Sequence, residues 1–376
     1  MNCRNLQVPA TRPYSLRLAF ARLIESYRTN EDSRVAALDG LRGLAILLVF
    51  SMHFTGFYAN INYFLDVTST TYQLINLLRG GHIGVDLFFV ISGYLIYLTL
   101  SNKPPDISFF RRRVYRLLPA HLFICLYIAW VTKTTDIHIF FLNIFFLAPF
   151  LNGTHIYNDV TWTLSWEWVF YVAIFIAALV SNRSALKVLA LTFVISVAIT
   201  EVTQHLPSIR PIGMDRFSGF LFGIFLADLV KNKRCWSSKT RSNIFAASAF
   251  VGIVGMMATW VGNAQAIQAL PLQGGFFMGT SFCFMVIIHE SFIDGGFAKR
   301  IFSLTPLRLL GKISYSFYLA HAVIIGTMLN KMPVATSLSG IIFGYVIVLT
   351  STIAFASVMY FFLEKPYFQA RSVRKE

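Results

Sequence analysis

The chain has 376 residues, of which 56% are hydrophobic and 13% charged, with a mean hydropathy of +0.62. A soluble domain carries about twice that charged fraction, and barrel strands would alternate apolar and polar residues, so a soluble globular protein and a closed barrel are both excluded. The formal net charge of +15 falls mainly in the gaps between apolar runs, which points to cytoplasmic loops and anionic lipid headgroups rather than to nucleic acid.

What remains is an all-α polytopic membrane protein. The first 34 residues are rich in arginine and lack the apolar core of a signal peptide, so they read as a cytoplasmic tail. Apolar runs then predict ten transmembrane helices, at roughly 41–58, 83–101, 114–131, 162–181, 186–204, 214–230, 243–262, 274–290, 313–330 and 339–363. One further run, IHIFFLNIFFLAPFL (137–151), contains a proline and is too short for a comfortable crossing at about 1.5 Å rise per residue.

Charge placement decides how that run is read. If it does not cross, Arg111, Arg112, Arg113 and Arg116 lie on the same side as the N-terminal tail. So do the cluster KNKRCWSSKTR (231–241), then Lys299, Arg300, Arg308, Lys312 and the final RSVRKE. If it crosses, every cluster after it moves outside, against the positive-inside preference. The run is therefore expected to be re-entrant or interfacial, in a plasma (inner) membrane protein with both termini cytoplasmic. The organisation predicted is a tail over 1–37, a membrane domain over 38–365 and a second tail over 366–376. Cys3, Cys125, Cys235 and Cys283 lie far apart with no CxxC pairing, and imply neither a disulfide framework nor a metal site.

Ionisable groups within apolar spans are costly, so each one is a candidate for function. The first span, LDGLRGLAILLVFSMHF (38–54), holds Arg42 and His53. Eleven residues make three helical turns, so the two share a face about 16 Å apart. The arginine can snorkel to the cytoplasmic interface, whereas the histidine is either functional or satisfied by a neighbouring helix. In GVDLFFVISGYLI, Asp86 can orient His53 or cap the helix start, and Gly93 permits close helix contact.

FFRRRVYRLLPAH (109–121) sets four arginines in six positions. Such a forked-donor cluster suits a polyphosphate such as the nucleotide end of coenzyme A, or is an ordinary cytoplasmic loop. In TWTLSWEWVFYV, Ser165 and Glu167 lie near the outer end of a span. The carboxylate can bond a histidine or a hydroxyl donor, or snorkel outward beside Trp162, Trp166 and Trp168. On this topology His53, Asp86 and Glu167 belong to the outer half and the arginines to the inner side. GKISYSFYLAHAVII places Tyr318 and His321 on one face, as channel lining or as packing. Glu364 in FFLEKPYF reads as an interfacial ion pair with Lys365 before a proline stop.

Taken in order, LDGLRGLA with its following histidine, GVDLFFVISGYLI, RRxxRLLP, TLSWE, SYSFYLAH and LEKP resemble the membrane acyltransferase 3 family, multi-pass enzymes that often O-acetylate extracytoplasmic glycans. The resemblance covers about Leu38 to Glu364. It implies that His53 is catalytic, that Arg113 and Arg116 serve the acyl-CoA donor, and that Ser165 and Glu167 form the Ser-x-Glu element. Thr163 and Trp166 depart from the residues common there. Some members carry a C-terminal SGNH hydrolase-like domain, for which this chain ends too soon, leaving acceptor handling to the membrane core or a separate partner.

The expectation is O-acetyl transfer from cytoplasmic acetyl-CoA to a hydroxyl of a glycan or lipid-linked glycan, such as O-antigen or exopolysaccharide. Arg42, Arg112, Arg113 and Arg116 would bind the donor. His53 would be the general base, or would first pass the acyl group through a transient covalent step, with Asp86 or Glu167 holding its tautomer, and Ser165, Tyr318 and His321 would line the acceptor side or a channel. The rival is a transporter or flippase using the same His, Asp and Glu residues as a proton or substrate path, although no internal repeat supports it. A soluble HxxxxD-type acyltransferase is excluded because no histidine has aspartate at that spacing.

Overall fold

A computed structural model describes residues 33–57, 69–102, 105–134, 136–151, 153–180, 214–232, 239–268, 272–332 and 337–367, with a few positions between 184 and 192. Most of the expected fifth span (186–204), both tails and most of the 231–241 basic cluster lie outside these residues. Among the described residues there are helices and turns but no β-strand.

Helix α1 (Ser33–Phe57) carries the LDGLRGLA block through the centre of the molecule. After it, α2 (Thr70–Leu77) starts where the Ser69 hydroxyl accepts the Tyr72 N–H at 3.2 Å. It passes into a buried 3₁₀ turn, Leu78–Ile83, and on into α3 (Gly84–Asn102). The turn is 3₁₀ and buried because Gly80 and Gly81 let its backbone press against neighbours. A Cβ on Gly81 would stand 2.1 Å from the Leu48 carbonyl oxygen.

Helix α4 (Ser108–Thr132) follows a turn in which the exposed Asp106 carboxylate accepts the Ser108 N–H. Hydrogen bonds from the Ser108 side chain and then from its backbone hold Asp106 below the usual carboxylate range. Next come α5 (Ile137–Ile144), α6 (Trp162–Val180), α7 (Ser218–Lys231), α8 (Lys239–Gln268) and α9 (Leu272–Glu290). The chain closes with α10 (Phe297–Phe302), α11 (Thr305–Lys312), α12 (Ser314–Leu329) and α13 (Leu338–Met359), the last extended by a π turn to Glu364.

Six helical runs are long and apolar enough to cross a membrane: 36–56, 70–101, 108–132, 159–180, 241–261 and 338–367. The pair α11 and α12, bent by 79°, makes a seventh if it is one span. Together they describe a multi-pass membrane protein, but they do not establish the ten spans expected. Helix α7 has 14 residues, and so rises about 21 Å against a hydrocarbon core of about 30 Å. The apolar part of α9, Gly274–Glu290, is also short. In the 137–151 run the only α-helix is eight residues long, about 12 Å, too short to cross.

Burial sorts the helices into centre and periphery. The apolar window of α1 is 67% buried, whereas those of α8 and α13 are 22% and 28% buried and expose Val251, Phe343 and Phe362. Such exposed apolar faces are what lipid contact requires. In the centre, Phe220 of α7 is sandwiched between Phe89 of α3 and Phe170 of α6, with ring centroids 4.3 and 4.0 Å away. Gly93 makes the α3–α7 approach possible, since a Cβ there would lie 2.2 Å from the Phe220 carbonyl oxygen. The close helix contact read from sequence at Gly93 is thus with α7.

Candidate active site

One cavity of about 230 Å³ gathers residues from five helices. Arg42 enters it from α1, Ser92 from α3, Arg112, Arg113 and Arg116 from α4, Thr163, Glu167 and Tyr171 from α6, and Ser314, Tyr315 and Tyr318 from α12. All four arginines singled out in the sequence therefore face one space, although 70 to 74 residues separate Arg42 from the other three. Arg111, from the same run, is exposed and outside the lining.

The guanidinium groups are held rather than floppy. Arg113 donates from Nη1 to the Phe109 carbonyl at 2.8 Å, and its guanidinium carbon lies 3.5 Å from the Phe109 ring centroid and 5.0 Å from that of Tyr171. Arg112 donates to Ser108 Oγ, and Arg42 pairs with Asp39 at 3.4 Å. The buried Nε of Arg113 has no hydrogen-bond partner, so a donor remains available to an anion. Facing the arginines is Glu167, whose Oε1 accepts from Tyr171 at 2.6 Å and from Ser92 at 2.9 Å.

Glu167 therefore shares one cavity with the arginines, where the sequence-based topology set them in opposite halves of the membrane. The reason lies in how α6 begins. Residues 157–161 are already folded into the bundle, with Asn158 Nδ2 donating to the Leu319 carbonyl at 2.9 Å and Tyr318 donating to the Val160 carbonyl at 2.9 Å. Helix α6 so starts inside the protein, and Glu167 lies a turn and a half deeper again.

His53 lies outside the cavity lining, further along α1. Its ring meets that of His321 at 5.0 Å between centroids, inclined at 61°. His321 is fully buried and donates from Nδ1 to the Tyr318 carbonyl at 2.6 Å. Tyr318 connects the two regions: it lines the arginine cavity, its hydroxyl is 2.7 Å from Thr163 Oγ1, and its ring is 5.5 Å from that of His321. Ser165 is buried and bonded back to the Thr161 carbonyl at 3.3 Å, while Thr163, two residues earlier, faces the cavity.

The sequence model of the family described as Acyltransferase domain, the acyltransferase 3 family, matches residues 35–361. The chain belongs to this family. The O-acetyltransferase OatA of Staphylococcus aureus strain NCTC 8325 / PS 47 is 27% identical over 377 residues, covering 88% of this chain and 56% of the relative. OatA of strain COL gives the same figures. Another strain COL protein, whose name gives O-acetyltransferase as a provisional assignment, is 26% identical over 375 residues, or 89% of this chain and 57% of its own. The chain thus spans a little over half the length of the curated relatives it matches. No solved structure matches it significantly.

Within this acyltransferase family member, tertiary structure adds groups that the sequence reading passed over. Asp86 is fully buried, and the guanidinium beside it is that of Arg216, 3.5 Å away. Arg216 also donates to the His82 carbonyl at 2.9 Å and to His82 Nδ1 at 2.8 Å, beneath Phe277 at 4.2 Å. Arg216, in the turn before α7, therefore binds both the 3₁₀ turn before α3 and Asp86 at the start of α3. Arg216 sits in PIGMDRFSG, within the expected 214–230 span, and its place in an apolar run is the signal that could have marked it. Asp159 is exposed in the turn that opens α6. Glu364 is not an interfacial ion pair: it is 2% exposed and accepts from the Ser316 N–H at 3.1 Å and from Ser316 Oγ. Lys365 instead lies over the Phe361 ring at 4.4 Å.

Proposed function

We propose that the chain is a membrane O-acyltransferase that moves an acetyl group from acetyl-CoA to a hydroxyl of an extracytoplasmic glycan or lipid-linked glycan. The observation that carries this reading is the cavity in which Arg42, Arg112, Arg113 and Arg116 converge opposite Glu167, in a chain of the acyltransferase 3 family. Guanidinium forks bind phosphate bidentately, and a set of four suits the polyphosphate end of coenzyme A better than it suits a neutral sugar. The names of the relatives add O-acetyl as the transferred group.

In this mechanism the arginines hold the donor and Tyr318 and Thr163 border the passage toward His53. His53 takes the proton of the acceptor hydroxyl as its oxygen attacks the thioester carbonyl. The carbon–sulfur bond then breaks, and His53 returns the proton to the departing thiolate. Glu167, fixed by Ser92 and Tyr171, sets the charge of the cavity and keeps the guanidinium groups spread. His53 is half-buried and near Asp159, which suits a base reached by a large acceptor from the outer side.

The test is label transfer from radiolabelled acetyl-CoA to envelope glycan in membranes containing the wild-type chain or His53→Ala. A positioned base contributes about 10²–10⁴-fold in rate. The variant should insert normally and lose activity by that factor; near-normal acetylation by His53→Ala would refute the mechanism.

A further inference from the structure

We propose that His321 is the positioning residue for His53, filling with a neutral imidazole the role that a carboxylate takes in hydrolytic triads. This rests on the reading of His53 as the base. Neither carboxylate weighed for that role from sequence has His53 as its described partner: Glu167 bonds Ser92 and Tyr171, and Asp86 is paired with Arg216.

The geometry begins with register. Helices α1 and α12 run side by side, so that Phe50 meets Phe317 at 5.7 Å and His53 meets His321 one turn further along at 5.0 Å. The His321 tautomer is then set by its backbone partner. A carbonyl only accepts, so the 2.6 Å contact to the Tyr318 oxygen requires that Nδ1 of His321 carry the proton. In the neutral ring Nε2 is left as a bare acceptor. That Nε2 is buried and has no hydrogen-bond partner, and the residue is fully enclosed.

Of the rings around His321, that of His53 is nearest by centroid, at 5.0 Å against 5.5 Å for Tyr318 and 6.3 Å for Phe317. One N–H of His53 directed at Nε2 of His321 leaves the other His53 nitrogen unprotonated and open to the acceptor hydroxyl. When His53 takes the proton, both its nitrogens become donors, and the bond to His321 strengthens because its donor is now charged. His321 itself stays neutral and exchanges no proton. Its orientation is fixed by Tyr318, whose hydroxyl is bonded to the Val160 carbonyl and to Thr163, and by Phe317 stacked at 6.3 Å and 19°.

Two substitutions separate the positioning role from a packing role. His321→Asn retains a donor for the Tyr318 carbonyl but has no atom at the Nε2 position. His321→Gln extends an amide oxygen to that position. Initial rates of label transfer from acetyl-CoA to envelope glycan are measured in native membranes, alongside thermal stability of the solubilised chains. We expect His321→Asn to lose about 10²-fold in kcat with KM for acetyl-CoA and melting temperature near wild type. We expect His321→Gln to recover to within about tenfold of wild type. The proposal is overturned if His321→Asn keeps a kcat within a few-fold of wild type, or if His321→Gln is no better than His321→Asn. His53→Ala is run in parallel: if it stays active the reading of His53 as base fails, whereas an inactive His53→Ala with an active His321→Asn overturns only the positioning role.

Discussion

The crossing of α1 by α11 sets where Arg42 points, and Gly311→Ala tests it directly. A Cβ at position 311 would stand 1.7 Å from the Asp39 carbonyl oxygen, where ordinary contacts are not closer than 3.0 Å. One helix must therefore retreat by about 1.3 Å, against backbone rather than a flexible side-chain end. The retreat is resisted on both sides, since Gly40 and Gly43 already let α1 touch the Phe302 and Leu307 carbonyl oxygens. Overpacking of this kind costs about 1–3 kcal/mol. Displacing a reacting or binding group by about 1 Å costs on the order of 10²-fold in rate, and Arg42 is three residues from the collision. We expect a melting temperature lowered by several degrees and acetyl transfer reduced by about that factor. Gly255→Ala and Gly326→Ala are the controls, because nothing lies within 4 Å of a Cβ at either site. Alanine there should be neutral or stabilising by up to about 1 kcal/mol. Wild-type stability and rate in Gly311→Ala would refute the view that the crossing is backbone-tight.

Two further predictions concern charge. Arg113→Ala and Arg116→Ala should each raise KM for acetyl-CoA by about 10- to 100-fold, the loss of one charge-assisted hydrogen bond, while exposed Arg111→Ala should stay at wild type; equal KM values across the three would remove the arginine cavity as the donor site. Arg216→Ala should destabilise the fold by about 3–5 kcal/mol by withdrawing the guanidinium beside buried Asp86, and Asp86→Leu combined with Arg216→Met should recover most of it; a double variant that melts as low as the single one would show that the pair is not the cause.

Part of the cavity lining was legible in the sequence. Arginine is costly in an apolar run, so Arg42 stood out by itself, and RRRVYR is dense enough to suggest an anion site. That these two segments line one cavity was not legible, because spacing gives the face of one helix and not its neighbour. Depth was the weaker inference. Counting residues inward from the presumed span ends put Glu167 and Asp86 near the outer surface. The chain enters α3 through a buried 3₁₀ turn and α6 through a buried loop, so both helices begin inside the bundle.

Periodicity and hydropathy alone determined an all-helical membrane protein, because apolar length and uncompensated backbone polarity leave few other solutions in lipid. The residue types likewise determined which groups could do chemistry, since ionisable side chains are costly in that medium. Partners were decided by tertiary structure: the His321 ring beside His53, Arg216 for Asp86, Ser316 for Glu364, and Ser92 for Glu167, whereas Tyr171, four residues from Glu167 on the same helix, is a local partner. The reason is physical. A hydrogen bond needs its two atoms within about 3 Å, and pairs such as Ser316–Glu364 and Ser92–Glu167, 48 and 75 positions apart, meet at that range only after the helices have packed.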